Sequence, residues 1–358
     1  MKRCLCIVLI ILALSGCGRV SYKNSPDRET DTPFIKGVWI SYSEINSMLK
    51  SGNFKGEFLK ATENLSTLNI TDLFVHVRAF GDSLFNSEYF SLNPLAEEYD
   101  FDILECMINT CHNKKMRFHA WINPYRTKDG TFLDPSDTNV QSNIIKGIKE
   151  ILSGYSVDGI HFDDYFYPAN SNDIDRESYA GYCESTPFPL TLEDFRTANI
   201  TSLISSVYNA VKLYNSEIVF SISPSASIEK NKTEFFADVE DWCKNGYADL
   251  IIPQIYFGFD YPDEKYRFEN LLEVWKSVKR AENVKLIIGL SAYKLGTAQE
   301  PDCKEWADGS DILKKQTELC IADRDIDGVS YFSFSHLFNE DELHKKSLVG
   351  LKNVIISQ

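Results

Sequence analysis

No two of the nine cysteines in this chain stand as CxxC, so the sequence offers neither a structural zinc knuckle nor a thioredoxin-like redox pair. Histidine is scarce at six residues, and no HxH or HExxH segment accompanies it. A metal-dependent hydrolase or deacetylase therefore finds no ligand motif, and neither metal nor other cofactor is expected. Positive charge is also in deficit. Against 37 Lys and Arg stand 52 Asp and Glu, a formal net charge of −15, which is the wrong sign for a nucleic-acid partner and reads as solubility. A glycine-rich phosphate loop is missing after the first predicted strand, where Ser41, Tyr42 and Ser43 stand instead, and this argues against a doubly wound dinucleotide fold. The chain shows no internal repeat, and outside residues 18–33 no low-complexity stretch.

The longest apolar run, residues 5–14, is too short to span a bilayer and follows the basic Lys2 and Arg3, the layout of a signal segment. Leu14-Ser15-Gly16-Cys17 closes it and resembles a bacterial lipobox. The resemblance implies a signal peptide at 1–16, lipid on Cys17, and anchoring to the cell membrane on its extracytoplasmic face. Residues 17–33 then form a polar tether reaching at most about 50 Å. Cys106, Cys111, Cys183, Cys243, Cys303 and Cys320 read as buried small hydrophobes, although that compartment would permit a bridge.

From residue 34 onward, short apolar runs alternate with helix-length amphipathic segments. Strands are expected at 36–42, 70–78, 115–123, 157–162, 217–223, 249–256, 285–291 and 327–334, and helices at 55–68, 101–113, 140–152, 192–214, 266–280, 312–322 and 340–355. Eight strands alternating with helices, the strands apolar on both faces, predict an α/β fold: a single-domain (β/α)8 TIM barrel over 34–358.

In such a barrel the chemistry gathers where the strands end. Arg78 and Asp82, then Trp121, Asn123, Tyr125 and Arg126, Asp163 and Asp164, Ser223 and Ser225, Gln254 and Tyr256, Tyr293, and Ser333 with His336 all fall there. The opposite ends carry mainly Lys36, Thr71, Lys115, Glu217 and Lys285. Aromatic faces beside hydrogen-bonding groups suit sugar rings, so a glycan is the expected ligand.

Six segments together resemble the glycosyl-hydrolase-like 10 family of bacterial, often lipid-anchored, TIM barrels. They are KGVWIS at 36–41, VHVRAFGDSLFNSEYF at 75–90, HAWINPYR at 119–126, DGIHFDDYFYP at 158–168, SISPSA at 221–226 and PQIYF at 253–257. The resemblance implies a glycoside hydrolase acting on cell-wall (peptidoglycan) glycan, with Asp163 and Asp164 as catalytic acids. It implies rim ligands at Arg78, Asn123, Arg126, Gln254 and Tyr256. Asp82, His119, Trp121, His161, Tyr165 and Tyr293 complete the expected substrate-binding set. Plainer roles compete for several of these. Asp82 can be a loop residue or cap, Trp39 and Trp121 core filling, and His119 and His161 hydrogen-bond supports under Asn123 and Asp163. Arg78, a cation on an inward face, needs a carboxylate, and Asp163 is the expected partner.

Chitinase-like barrels carry DGxDxDxE on this strand, and laid on that pattern the acid position of this chain is Tyr165. Barrels that remove O-linked N-acetylglucosamine instead use two adjacent aspartates, one polarising the acetamido group and the next serving as acid/base. That resemblance implies the same roles for Asp163 and Asp164 on an N-acetylated glycan, provided the strand bends after Phe162, since alternate residues otherwise face opposite ways. A conventional pair using Glu229 is the alternative mechanism. A non-catalytic glycan-binding lipoprotein is the alternative function, because fold does not fix activity.

Overall fold

Apolar runs that bury both faces can be satisfied only by elements packed on either side, and a closed parallel sheet ringed by helices does this. The computed structural model describes residues 33–356 other than 129, 169–172, 298–302 and 310. The expected signal peptide, Cys17 and nearly all of the tether lie outside the described residues. Eight strands form the barrel: β1 (Ile35–Ile40), β2 (Asp72–Arg78), β3 (Arg117–Ile122), β4 (Gly159–Phe162), β5 (Val219–Ile222), β6 (Leu250–Ile251), β7 (Lys285–Ser291) and β8 (Gly328–Phe332); two short strands, Asp82–Ser83 and Ser91–Leu92, pair apart from it. Each barrel strand pairs in parallel with its sequence neighbour, and β1 also pairs with β8, with Trp39 beside Phe332, so the barrel closes.

Period-2 alternation divides the strand residues between two cores. Val38, Ile40, Leu73, Val75, Ile160 and Phe162 face the helices, whereas Trp39, Phe74, Trp121, Leu250, Ile252 and Ile287 fill the barrel. The interior is also threaded with polar groups. His119 Nε2 meets Asp72 Oδ1 at 2.7 Å, and Trp39 donates its indole N–H to His161 Nε2 at 3.0 Å. Gly159 is required beside this column, because a Cβ there would sit 2.1 Å from the His119 ring.

Helices Leu192–Tyr214 and Ile312–Ala322 fall where the sequence places them. The sixth strand is shorter than expected, since Pro253 cannot donate to the ladder. Helices at Tyr42–Lys50, Arg176–Ser185, Ile228–Thr233 and Val239–Asn245, and the shorter ones at Pro94–Glu97, Cys303–Asp308 and Phe334–Leu337, were not anticipated. Cys106, Cys111, Cys183, Cys243 and Cys320 are free thiols, so no bridge forms among the described residues.

The helix Tyr42–Lys50 begins with a capping box in which Ser41 is the N-cap and Glu44 folds back on it. Glu44 Oε2 accepts from Ser41 N (2.7 Å) and Ser41 Oγ (2.8 Å), while its Oε1 accepts from Ser333 Oγ (2.8 Å) and Ser335 N (2.6 Å). One carboxylate thus staples the ends of β1 and β8 across the seam where the barrel closes. Glu44→Ala is expected to lower stability by about 2–3 kcal/mol, since charge-assisted bonds across a half-buried seam are lost together. A urea-unfolding midpoint shifted to lower concentration with an unchanged slope would bear this out; an unmoved midpoint would show the staple to be idle.

Candidate active site

The ladder of β4 ends when the Phe162 carbonyl accepts from Ser223 N at 2.8 Å. The chain then turns at once. Tyr165 N donates to Asp163 Oδ1 at 3.2 Å and Phe166 N to the Asp164 carbonyl at 3.0 Å. The turn breaks the alternation of the strand, so consecutive carboxylates face the same cleft, a cavity of about 280 Å³ at the C-terminal mouth of the barrel.

Burial governs their ionisation. Asp163 is only 2% exposed, and its Oδ2 has no hydrogen-bond partner. Desolvation, reinforced by the charge of Asp164, pushes its carboxyl well above the usual carboxylate range, against the pull of Arg126 and the Trp121 indole. Asp164 is half-buried; desolvation raises it to about 6, while its hydrogen bond to Gln254 and the Arg126 charge hold it back. Near neutrality the pair is disposed to keep one proton between its two carboxyls.

Aromatic and amide groups surround the pair. Tyr256 stacks on Phe332 at 5.9 Å and meets Tyr293 edge-on at 5.8 Å, forming one wall. Burial keeps the Tyr256 phenol protonated, so it faces the cleft as a donor. Gln254 is fixed by donating to the Ser223 carbonyl at 2.8 Å. Arg126 lies over the rings of Tyr165 (4.3 Å) and Phe80 (4.9 Å), and Tyr165, 41% exposed, forms the lip. Trp39, Tyr42, His76 and Ser223 also line the cavity.

Beneath and behind these groups runs a hydrogen-bonded shell, of which His76 and Trp121 reach the cleft wall. Asn123 is fully buried; its Oδ1 accepts from the Trp121 indole N–H (3.1 Å) and lies 3.3 Å from His76 Nε2. Because His76 Nδ1 accepts from Tyr42 N (3.1 Å), its proton resides on Nε2 and points at Asn123. The His76 ring stacks on Trp121 at 3.3 Å, and burial lowers its pKa to about 3, so it stays neutral. His161 accepts from Trp39 and holds Ser221 Oγ at 2.8 Å through Nδ1.

Of the expected ligands, Trp121, Arg126, Tyr165, Gln254, Tyr256 and Tyr293 meet in the cleft with the aspartates. Five expectations need correction. The β2 register shifts between His76 and Arg78, and the bulge turns the Arg78 guanidinium to the carbonyls of Asn123 and Pro124 and the Phe90 ring; it does not pair with Asp163. Asp82 steadies that cation and lies in a neighbouring cavity, bonded to Asn93 (2.8 Å) and paired with Lys128 (3.3 Å). His119 turns toward Asp72 rather than Asn123, which His76 supports instead. Buried Asn123 and His161 are supports rather than ligands, and the hydrogen bonds of His161 run to Trp39 and Ser221 rather than to Asp163. Glu229 is exposed on its helix and is not part of the cleft lining.

The glycosyl hydrolase-like 10 family model matches residues 34–128 and 122–308. Glycosyl hydrolase DigH of Escherichia coli O6:H1 is 30% identical, covering 94% of this chain and 93% of its own. Glycosyl hydrolase YngK of Bacillus subtilis (strain 168) is 25% identical over 89% of this chain and 70% of its own. Among solved structures, the PgaB (BpsB) glycoside hydrolase domain from Bordetella bronchiseptica superposes with a TM-score of 0.59 at 11% identity, covering 88% of this chain and 98% of that one. A GH18 chitinase from Cycas revoluta in complex with (GlcNAc)4 gives 0.55 at 11% identity, covering 89% and 99%. At such identity these two likenesses establish the fold alone.

The raised carboxyls carry a stability signature. A group whose folded pKa lies above its unfolded value favours folding below the unfolded pKa and loses that contribution as pH rises through the folded one. For Asp164 the window runs from the unfolded carboxylate value to about 6. Asp164→Asn should therefore be more stable than the natural protein at pH 7, by about 1–2 kcal/mol after allowing for partial exposure. The gap should close toward pH 4. Urea midpoints that differ by the same amount at both pH values would contradict the assignment.

Proposed function

The chain belongs to the glycosyl hydrolase-like 10 family, and we propose that it hydrolyses glycosidic bonds of an N-acetylated glycan, the peptidoglycan strands of the bacterial cell wall, using Asp163 and Asp164. The observation that carries this reading is that two consecutive, desolvated carboxyls share one aromatic-walled cleft. A conventional pair needs carboxyls set apart on either side of the sugar, and exposed Glu229 does not supply the second one. A substrate-assisted route needs neighbours. In the empty cleft the proton rests on Asp163, the more buried of the two. When an acetamido N–H donates to Asp163, it favours the carboxylate there, and the proton is left to Asp164.

Asp164 then protonates the glycosidic oxygen as the C1–O bond breaks. The acetamido carbonyl oxygen closes on C1, giving an oxazolinium ion whose N–H is held by the Asp163 carboxylate. Water next attacks C1, the C1–O bond of the oxazolinium ring opens, and Asp164 takes the proton of that water, restoring both carboxyls. Tyr256, a neutral donor, and Gln254 orient the sugar, while Tyr293 and Phe332 offer faces to its C–H surface.

Release of reducing ends from a chitooligosaccharide or a peptide-free glycan strand tests this. Asp163→Asn and Asp164→Asn should each lose at least about a hundredfold in kcat, and turnover by the natural protein should rise as pH rises through about 6, where the doubly protonated pair gives way to the one-proton form, and decline at higher pH where that last proton leaves. Full activity in both variants ends the assignment. Saturable binding with no new reducing ends from the natural protein would favour a glycan-binding lipoprotein instead.

We also propose that Cys17 carries lipid and holds the enzyme at the extracytoplasmic face of the cell membrane, on the strength of the Leu14-Ser15-Gly16-Cys17 segment. Cys17→Ala should abolish labelled palmitate incorporation and leave the protein out of the membrane fraction. Labelling that survives the substitution would refute it.

A further inference from the structure

The end of the barrel opposite the catalytic cleft holds a cavity of about 420 Å³ that the chemistry above does not use. Ile35, Arg117, Val219, Leu250 and Lys285, the first residues of five of the eight barrel strands, line it. Lys115 and Lys212 join them, so four cations converge on one opening in a chain whose formal net charge is −15. Two carboxylates share the lining. Asp249 is taken up by Lys212 at 2.7 Å and by the Phe220 N–H at 2.7 Å, and exposed Glu217 is the other. Arg117 is engaged from behind by buried Asp72 at 2.8 Å. Lys115 and Lys285 make no ion pair among the described residues, and the cavity keeps a surplus of positive charge.

The surface beside this cavity is amphipathic. Following Lys212, the last turn of the helix Leu192–Tyr214 presents Leu213, 88% exposed, and Tyr214, 54% exposed. An aliphatic and a phenolic side chain held in water next to lysines is the residue mixture of a membrane interface, where the apolar groups enter the headgroup layer and the ammonium groups meet phosphate. The covalent chain leads to the same place. Pro33 and Phe34 line the cavity, and only residues 18–32 separate Pro33 from Cys17.

We propose that this end of the barrel docks on an anionic phospholipid leaflet, its basic cavity receiving a phosphate headgroup while Leu213 and Tyr214 enter the interface. The inference rests on the lipid anchor at Cys17 proposed above. Docked in this way, the barrel holds Asp163 and Asp164, which follow the far end of β4, turned away from the bilayer. The surface therefore sets which way the cleft faces, a matter the anchor alone leaves open.

The test uses the full lipidated protein. The five native tryptophans are all buried, so Tyr214→Trp adds one exposed reporter. Its fluorescence is followed in vesicles of brominated phosphatidylcholine, alone or with about 30 mol% phosphatidylglycerol. Quenching should be at least about twofold stronger in the anionic vesicles, and the difference should shrink as salt is raised. Lys115→Gln together with Lys285→Gln should remove the difference, with an unmoved thermal midpoint to show that the fold is intact. Vesicle-bound protein that is quenched equally in both lipids, or equally before and after the lysines are replaced, overturns the docking and leaves the anchor standing. Relief of quenching by inorganic phosphate at constant ionic strength assigns the cavity to free phosphate and overturns the docking likewise. Protein that takes up no palmitate and does not float with the vesicles overturns the anchor, and this inference with it.

Discussion

Two carboxyls adjacent in sequence, one buried and one half-buried, resist carrying charge together, and the mouth of this barrel is arranged around that restriction. Arg126 and Gln254 draw Asp164 toward ionisation, while Asp163 keeps one oxygen with no partner at all. Below them the interior is kept free of positive charge. His76 is held neutral with a pKa near 3 and His161 is driven well below its ordinary range, each by burial, so neither competes as a counter-ion. At the opposite pole Asp72 pairs with Arg117 and lies 2.7 Å from His119 Nε2.

The same economy explains the neutral shell. Asn123 joins the indole of Trp121, the imidazole of His76 and the carbonyl of Ala79, tying β2 to β3 immediately under the cleft. A network of this kind fixes the ring planes that a sugar would meet without adding charge beside the pair. Its cost is that every member must be satisfied, and Tyr42 N, which caps the far nitrogen of His76, supplies the last bond from the start of the helix that follows β1.

How much of this was legible follows from what each residue answers to. The eight strands could be read because parallel strands buried on both faces leave apolar runs, and Pro253 marks where one of them had to shorten. The pair, Arg126, Trp121, Gln254 and the tyrosines could be read because strand ends are places rather than contacts. Partners were another matter. Extending the alternation of β2 through Arg78 aims it into the barrel, and the bulge after His76 sends it elsewhere. Choosing between His76 and His119 under Asn123 required knowing the stagger of β2 against β3, which hydrogen bonding sets and composition does not. The helix opening at Tyr42 was hidden because Ser41 and Glu44 make their capping box over three residues that read equally well as a polar strand end.

Closure of the barrel couples the first strand to the last. β1 has no complete neighbourhood until β8 lies beside it, Glu44 has no second serine until residue 333 arrives, and Lys36 Nζ reaches across to the carbonyl of Ile355 at 2.9 Å. A chain emerging from its amino end therefore exposes an open sheet edge through most of its synthesis, and the polar trough at the mouth takes shape only after that edge is sealed. Formation of the cleft thus waits on β1 pairing with β8, a contact between the two ends of the barrel sequence.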